Sequence, residues 1–165
     1  MKTGIIFLVV FQLGFFVNGQ SINDRTAILD LINNYSRYAD RREPRKQAGL
    51  FTEDATIEIY HSEPGNNKPD TILRGRSQFI TGFETLKKYD VTMHFNGQST
   101  IEIKGTNATG ETYCLAHHLW VEEGKRMLMV IGIRYYDNFI RIDNQWFFAR
   151  RKLIFDWEDK KPSSP

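Results

Sequence analysis

Five ionisable side chains lie among apolar residues in the second half of this 165-residue chain: His94, His117, His118, Arg134 and Asp137. Chemistry can reside there, because an imidazole changes charge near neutral pH and can take or give a proton. In an extended chain, neighbours point to opposite faces and residues two apart share one. Cys114, Ala116 and His118 therefore share a face, and Tyr113, Leu115 and His117 share the other. The small side chains of Cys114 and Ala116 leave room for a ligand, which favours His118 over His117 as the pocket residue. Further on, Ile131, Ile133, Tyr135 and Asp137 share one face, with Arg134 and Tyr136 opposite. No metal site is expected, since adjacent His117 and His118 diverge and no cysteine cluster or helical HxxxH spacing is present. Cys114 is the single cysteine, which excludes an internal disulfide framework, and it reads as a packing residue. Arg134 and Asp137 are expected to form a structural ion pair. Arg150 and Arg151 read as sheet-face charges or interface partners, and Trp146 and Trp157 as packing residues.

The elements that must position these groups follow from periodicity. Four β-type stretches, Val91–Ile103, Thr106–Val121, Met127–Ile142 and Gln145–Trp157, are separated by the turn signals Lys104-Gly105, Glu122-Glu123-Gly124 and Asp143-Asn144. That pattern predicts a meander of long antiparallel strands. Before it, Asn23 or Asp24 is placed to cap a helix running to about Asp40, with Ile28, Ile32, Tyr35 and Ala39 as its apolar stripe. Pro44 opens a short helix through Leu50-Phe51. Thr52-Glu53-Asp54 reads as a turn, and Ala55–Tyr60 as a strand with Ile57 and Ile59 alternating against Glu58 and Tyr60. His61–Asp70 reads as a loop, Thr71–Arg74 as a return strand, and Gly75–Tyr89 as a third helix with Phe79, Ile80, Phe83 and Leu86 inward. Helices first and a long bent sheet afterwards give an α+β fold: a cone-shaped α+β barrel. In it three N-terminal helices pack on a strongly curved antiparallel sheet around a central pocket.

Residues 1–19 read as a secretory signal peptide. Lys2 supplies the positive start, Ile5–Val17 is apolar apart from Gln12 and Gly14, and Val17-Asn18-Gly19 resembles a cleavage site. The apolar run is short of the roughly 20 residues a membrane span needs. The expected location is therefore secreted or periplasmic, with one domain over residues 20–157 and a frayed tail over 158–165. Without Lys2 the chain carries 21 basic and 20 acidic residues. That balance argues against a nucleic-acid partner, and no membrane association is expected after cleavage. Asn34-Tyr35-Ser36 and Asn107-Ala108-Thr109 match the glycosylation sequon, which matters in a eukaryotic host.

The order and spacing of several short segments carry a resemblance. They are Tyr38-Ala39-Asp40, Leu50-Phe51-Thr52-Glu53-Asp54-Ala55, Leu73-Arg74-Gly75, His94-Phe95, Ala108–Tyr113, Arg134-Tyr135-Tyr136-Asp137 and Arg141–Trp146 with Arg150-Arg151. Together they resemble the nuclear transport factor 2-like superfamily, within it the SnoaL-like and scytalone dehydratase branch. The resemblance implies a catalytic set of His94, Asp40, His118 and Tyr60. Asp40 would orient the His94 imidazole as general acid/base, while His118 and Tyr60 would hold a water or the substrate carbonyl. The chain departs where those dehydratases carry Ser and Asn, since Ile133 and Tyr135 stand there. The physical chemistry is consistent: in an apolar cavity desolvation favours the neutral imidazole and a nearby carboxylate favours the charged one, so the pair can poise a base near neutrality. Tyr35, Cys114, Ala116, Ile133 and Tyr135 are the expected substrate-contacting residues.

Two functions from different classes follow. One is a cofactor-independent lyase (dehydratase) or isomerase acting on a small, apolar, oxygenated compound, with no cofactor required. The other is a non-catalytic module that holds a small hydrophobic ligand or dimerises. Met127, Leu128, Met129 and Val130 are apolar on both strand faces, so the open sheet face is expected to be covered by a second subunit, in a homodimer or homotrimer.

Overall fold

The computed structural model describes residues 17–61 and 68–163, with side chains from Asn23 onward. Nearly all of the expected leader lies outside the described residues. The chain forms α1 (Val17–Asp40), α2 (Pro44–Gly49), β1 (Phe51–Tyr60), β2 (Thr71–Arg74), α3 (Gly75–Glu84) and a 3₁₀ turn (Thr85–Lys88). The meander follows as β3 (Val91–Lys104), β4 (Asn107–Glu122), β5 (Lys125–Ile142) and β6 (Gln145–Pro162). One sheet holds all six strands in the order β2-β1-β6-β5-β4-β3. The expected α+β cone is present. Its sheet is open, and it is mixed rather than wholly antiparallel because β1 runs parallel to β6.

Local chemistry explains the meander. Lys104 pairs with Asn107, Glu122 with Lys125, and Ile142 with Gln145, so each hairpin turns on two residues. Glu123 and Gly124 both have positive φ, as do Asp143 and Asn144, and Gly105 has φ +63°. Such turns match the twist of long paired strands. The inner sheet face meets the α1 stripe, where Ile28, Ile32, Tyr35 and Ala39 are all buried, and the α3 residue Phe79. Phe51 stacks on Phe148 with centroids 4.9 Å apart and lies the same distance from Phe79.

Three differences from the sequence reading have physical reasons. Asp24 does not cap a helix, because α1 begins before it. Its two carboxylate oxygens instead accept from Arg141 Nη1 at 3.0 and 2.9 Å, and Oδ1 also accepts the Trp146 indole N–H at 3.0 Å. Thr52-Glu53-Asp54 lies within β1, where the register against β6 shifts between Phe51 and Thr56, so an irregular strand takes the place of a turn. Residues 158–162 of the expected frayed tail are the end of β6, paired with β5 as far as Pro162 and tied by Lys160 to Glu122 at 3.1 Å, while residues 164–165 lie outside the described residues.

Candidate functional site

The end of α1 lies against the start of β3, so Asp40 meets Thr92 and His94, two residues on the inner face of that strand. Asp40 Oδ1 is 2.7 Å from His94 Nδ1. Oδ2 accepts the His94 backbone N–H at 3.0 Å, and the Thr92 hydroxyl donates to Oδ1 at 3.0 Å. Burial alone would raise the Asp40 carboxyl, but the hydrogen bonds from His94 and Thr92 hold it below its ordinary value. Asp40 is therefore ionised at neutral pH and can only accept. The hydrogen-bond network accordingly places a proton on His94 Nδ1, donated to Asp40, and leaves Nε2 as the nitrogen that can take up or give a proton.

The His94 side chain is only 8% exposed and forms part of the wall of an inner cavity of about 390 Å³. The lining is mainly apolar and aromatic, including Ile57, Ile59, Phe83, Leu86, Ile131, Ile133, Leu153 and Phe155, with Tyr35, Tyr135, Gln47 and two threonines. Among the described residues, no Lys, Arg, Asp or Glu lines it. On its other side His94 borders an open polar cleft of about 470 Å³, where Asn33, Ser36, Arg37, Asp40 and Asn96 lie. The imidazole thus forms a partition between an apolar chamber and a polar one.

His118 also lines the inner cavity. Its ring packs on Tyr89 at 4.5 Å and stands perpendicular to the His94 ring at 5.8 Å between centroids. Burial, reinforced by the positive charge of a protonated His94 and of Arg42, lowers His118 to about 4. At neutral pH it is an uncharged ring with one N–H and one lone pair to offer. Its Nδ1 is buried and has no hydrogen-bond partner among the described residues. His117 follows the opposite strand phase, beside Met93 and Val130.

Tyr35, Ile133 and Tyr135 line the cavity; Tyr60, Cys114 and Ala116 do not. Because Ile57 and Ile59 of β1 point inward, Tyr60 points away, and its hydroxyl donates to Glu58 at 2.9 Å. Arg150 holds that same Glu58 through two hydrogen bonds of 2.8 Å. The Cys114 thiol is engaged with the Tyr135 hydroxyl, and burial pushes it up to about 11, so it is not a nucleophile. Ala116 is fully buried in packing.

The expected Arg134–Asp137 pair is absent. Arg134 grips Asp156 at 2.7 and 2.6 Å, whereas Asp137 receives two bonds of 2.8 Å from Arg151. Arg151 is fully buried rather than a sheet-face charge. Its guanidinium lies 4.1 Å from the rings of both Tyr35 and Tyr135 and 4.3 Å from Phe148, bracing the two cavity tyrosines from behind. Burial raises the Asp137 carboxyl and Arg151 opposes that rise. Desolvation works against the Arg151 charge, and Asp137 more than offsets it. Sequence reasoning missed Thr92 and the Arg151 brace. Thr92 was within reach, being two residues before His94 and so on the same strand face. Among the described residues, no group of three or more His, Cys, Asp or Glu is arranged to hold a metal ion.

The sequence matches the family model for the SnoaL-like domain over residues 20–152. An uncharacterized protein of Mycobacterium tuberculosis is 26% identical over 130 residues, spanning 79% of this chain and 84% of its own. Among solved structures, a protein of Novosphingobium aromaticivorans provisionally named a scytalone dehydratase superposes with a TM-score of 0.74 at 24% identity. That match covers 87% of this chain and 91% of the other. A type 2 hexachlorocyclohexane dehydrochlorinase, LinA, gives 0.72 at 19% identity, covering 89% and 93%. At such identities the structural likeness speaks for the fold, the nuclear transport factor 2-like cone. The chain belongs to the SnoaL-like domain family.

Proposed function

We propose that this SnoaL-like protein is a cofactor-independent lyase or isomerase for a small, uncharged, largely apolar oxygenated compound, with His94 as its general base. The observation that carries this reading is the 2.7 Å contact of Asp40 with His94 on the wall of the apolar cavity. With Nδ1 tied to the carboxylate, Nε2 is the basic atom and removes a proton from a carbon beside a carbonyl. The electron pair forms the new double bond. In dehydration, a β-hydroxyl takes the proton back from His94 and departs as water. In isomerisation, the proton returns to a different carbon. Asp40 keeps its charge throughout and stabilises the imidazolium. His118, uncharged, accepts or donates a hydrogen bond at the substrate oxygen. The lack of Lys, Arg, Asp and Glu in the lining among the described residues supports a neutral substrate, since burying an unpaired charge there would be costly.

Proton NMR of the histidine rings tests the base. Replacing Asp40 by Asn should release the Nδ1 proton of His94 to fast solvent exchange, and a screen of β-hydroxy carbonyl compounds should show elimination that the variant lacks. An Nδ1 proton indifferent to that substitution would refute the reading. One observation favours the alternative of a ligand-binding module. Tyr135 commits its hydroxyl to Cys114, and Ile133 is apolar, so neither supplies the polar handle that Ser and Asn would.

The outer sheet face supports assembly as a homodimer or homotrimer. Phe95 is 65% exposed, with Met93, Leu115 and Trp157 also exposed beside it. Light scattering giving a monomer mass would remove that proposal. Export after cleavage near Gly19 is proposed from the leader, and sequencing the mature N-terminus tests it.

A further inference from the structure

Arg42 lies two residues beyond the last residue of α1, in a conformation that side chains avoid, with φ +57°. Helices commonly end on such a residue, and glycine usually provides it because it has no Cβ to clash. An arginine kept there needs a compensating role, and its side chain has one. The guanidinium donates to the carbonyls of Ala39 at 3.0 Å and Asp40 at 3.4 Å, at the end of α1. It also reaches the Tyr89 carbonyl at 3.2 Å and the Thr92 hydroxyl at 2.6 Å, both at the entrance to β3. One planar fork therefore joins the end of the helix that carries Asp40 to the start of the strand that carries His94.

The Thr92 hydroxyl makes this more than a brace. A guanidinium has no acceptor, so Thr92 Oγ1 must accept from Arg42, and its own proton is left to donate to Asp40 Oδ1 at 3.0 Å. We infer that Arg42 is a positioning residue for the Asp40–His94 pair: it fixes the spacing of α1 and β3 and the direction of the Thr92 hydroxyl, and so holds the Asp40 carboxylate on Nδ1 of His94. This inference rests on His94 being the base. Arg42 borders neither the inner cavity nor the polar cleft beside Asp40, so it acts through Thr92 and Asp40 rather than on a substrate.

The test uses the full chain and the substitutions Arg42→Lys and Arg42→Gly, with Asp40→Asn as the reference. Arg42→Lys keeps the charge but loses the fork. Arg42→Gly removes the side chain while relieving the unfavourable φ, which offsets part of the lost hydrogen bonding. The readout is the rate at which the Nδ1 proton of His94 exchanges with solvent, followed by NMR and set against backbone amide exchange in α1 and β3. Asp40→Asn should speed the Nδ1 exchange, and both Arg42 variants should speed it by more than they speed the amides, as a purely structural role would not require. If Asp40→Asn speeds the exchange while both Arg42 variants keep the parent rate, the positioning role is refuted and the base survives. If Asp40→Asn itself leaves the exchange unmoved, the base reading fails, and the inference falls with it.

Discussion

His118 makes the stability of this protein depend on pH over a defined window. Its ring has an ordinary value of 6.5 and is lowered to about 4 in the folded chain, first by burial and then by the charges of His94 and Arg42. Between these values the unfolded chain binds a proton that the folded chain refuses, so stability falls as pH drops. One unit corresponds to about 1.4 kcal/mol, which gives a loss of about 2 kcal/mol by pH 5 and about 3 kcal/mol by pH 4 relative to neutrality. The carboxylates held below their ordinary values, Asp40 and Glu58, give up their contributions only at lower pH, starting from 3.8 and 4.5. The difference between the parent and His118→Asn isolates His118, because the other three histidines are present in both proteins. Urea unfolding followed by tryptophan fluorescence at half-unit steps from pH 7 to 5 measures it. The variant has a lower absolute stability, because Tyr89 loses its ring partner, but it should lose about 2 kcal/mol less than the parent between pH 7 and 5. Parallel slopes in the two proteins would refute the argument that burial, and not another group, sets this dependence.

Other outcomes follow from specific contacts. Asp137→Ala leaves the Arg151 charge buried without its partner and should cost about 3–5 kcal/mol, roughly a 10 °C fall in melting temperature by calorimetry. The double change Asp137→Leu with Arg151→Met should recover most of that loss. Asp24→Ala removes the acceptor of Arg141 and Trp146 and should destabilise by about 2–3 kcal/mol in urea unfolding. A Cβ at residue 132 would sit 2.2 Å from the Trp157 indole nitrogen, so Gly132→Ala should swing that half-exposed ring off the sheet. The change is readable as a red shift in tryptophan emission that Trp157→Phe abolishes.

Much of the fold is legible along the chain because its causes are local. Gly105, Glu123-Gly124 and Asp143-Asn144 are residues that accept the backbone twist of two-residue hairpins, and the strands between them alternate in phase. The α1 stripe at Ile28, Ile32, Tyr35 and Ala39 follows from helical spacing, and every member is buried. The same reasoning was sufficient to exclude two expectations. Tyr60 shares a strand face with Glu58, opposite the cavity residues Ile57 and Ile59. Arg134 and Asp137 are three apart in a strand, and so lie on opposite faces.

The sequence by itself determined most of the helices and strands along the chain, and strand phase placed His118 on an inward face. The tertiary structure alone decided which distant groups meet. Asp40 reaches His94 across 54 residues because α1 ends beside the start of β3. Asp137 finds Arg151 because the β5–β6 register, shifted at two irregular points, sets them opposite one another. The cavity exists because α3 and the 3₁₀ turn bring Phe83 and Leu86 over one end of the sheet and leave the space between unfilled. Side-chain direction is fixed by the pleat of a few residues. Contact between distant groups is fixed by register and by where a helix lands on a curved sheet, and these depend on the packing of the whole chain.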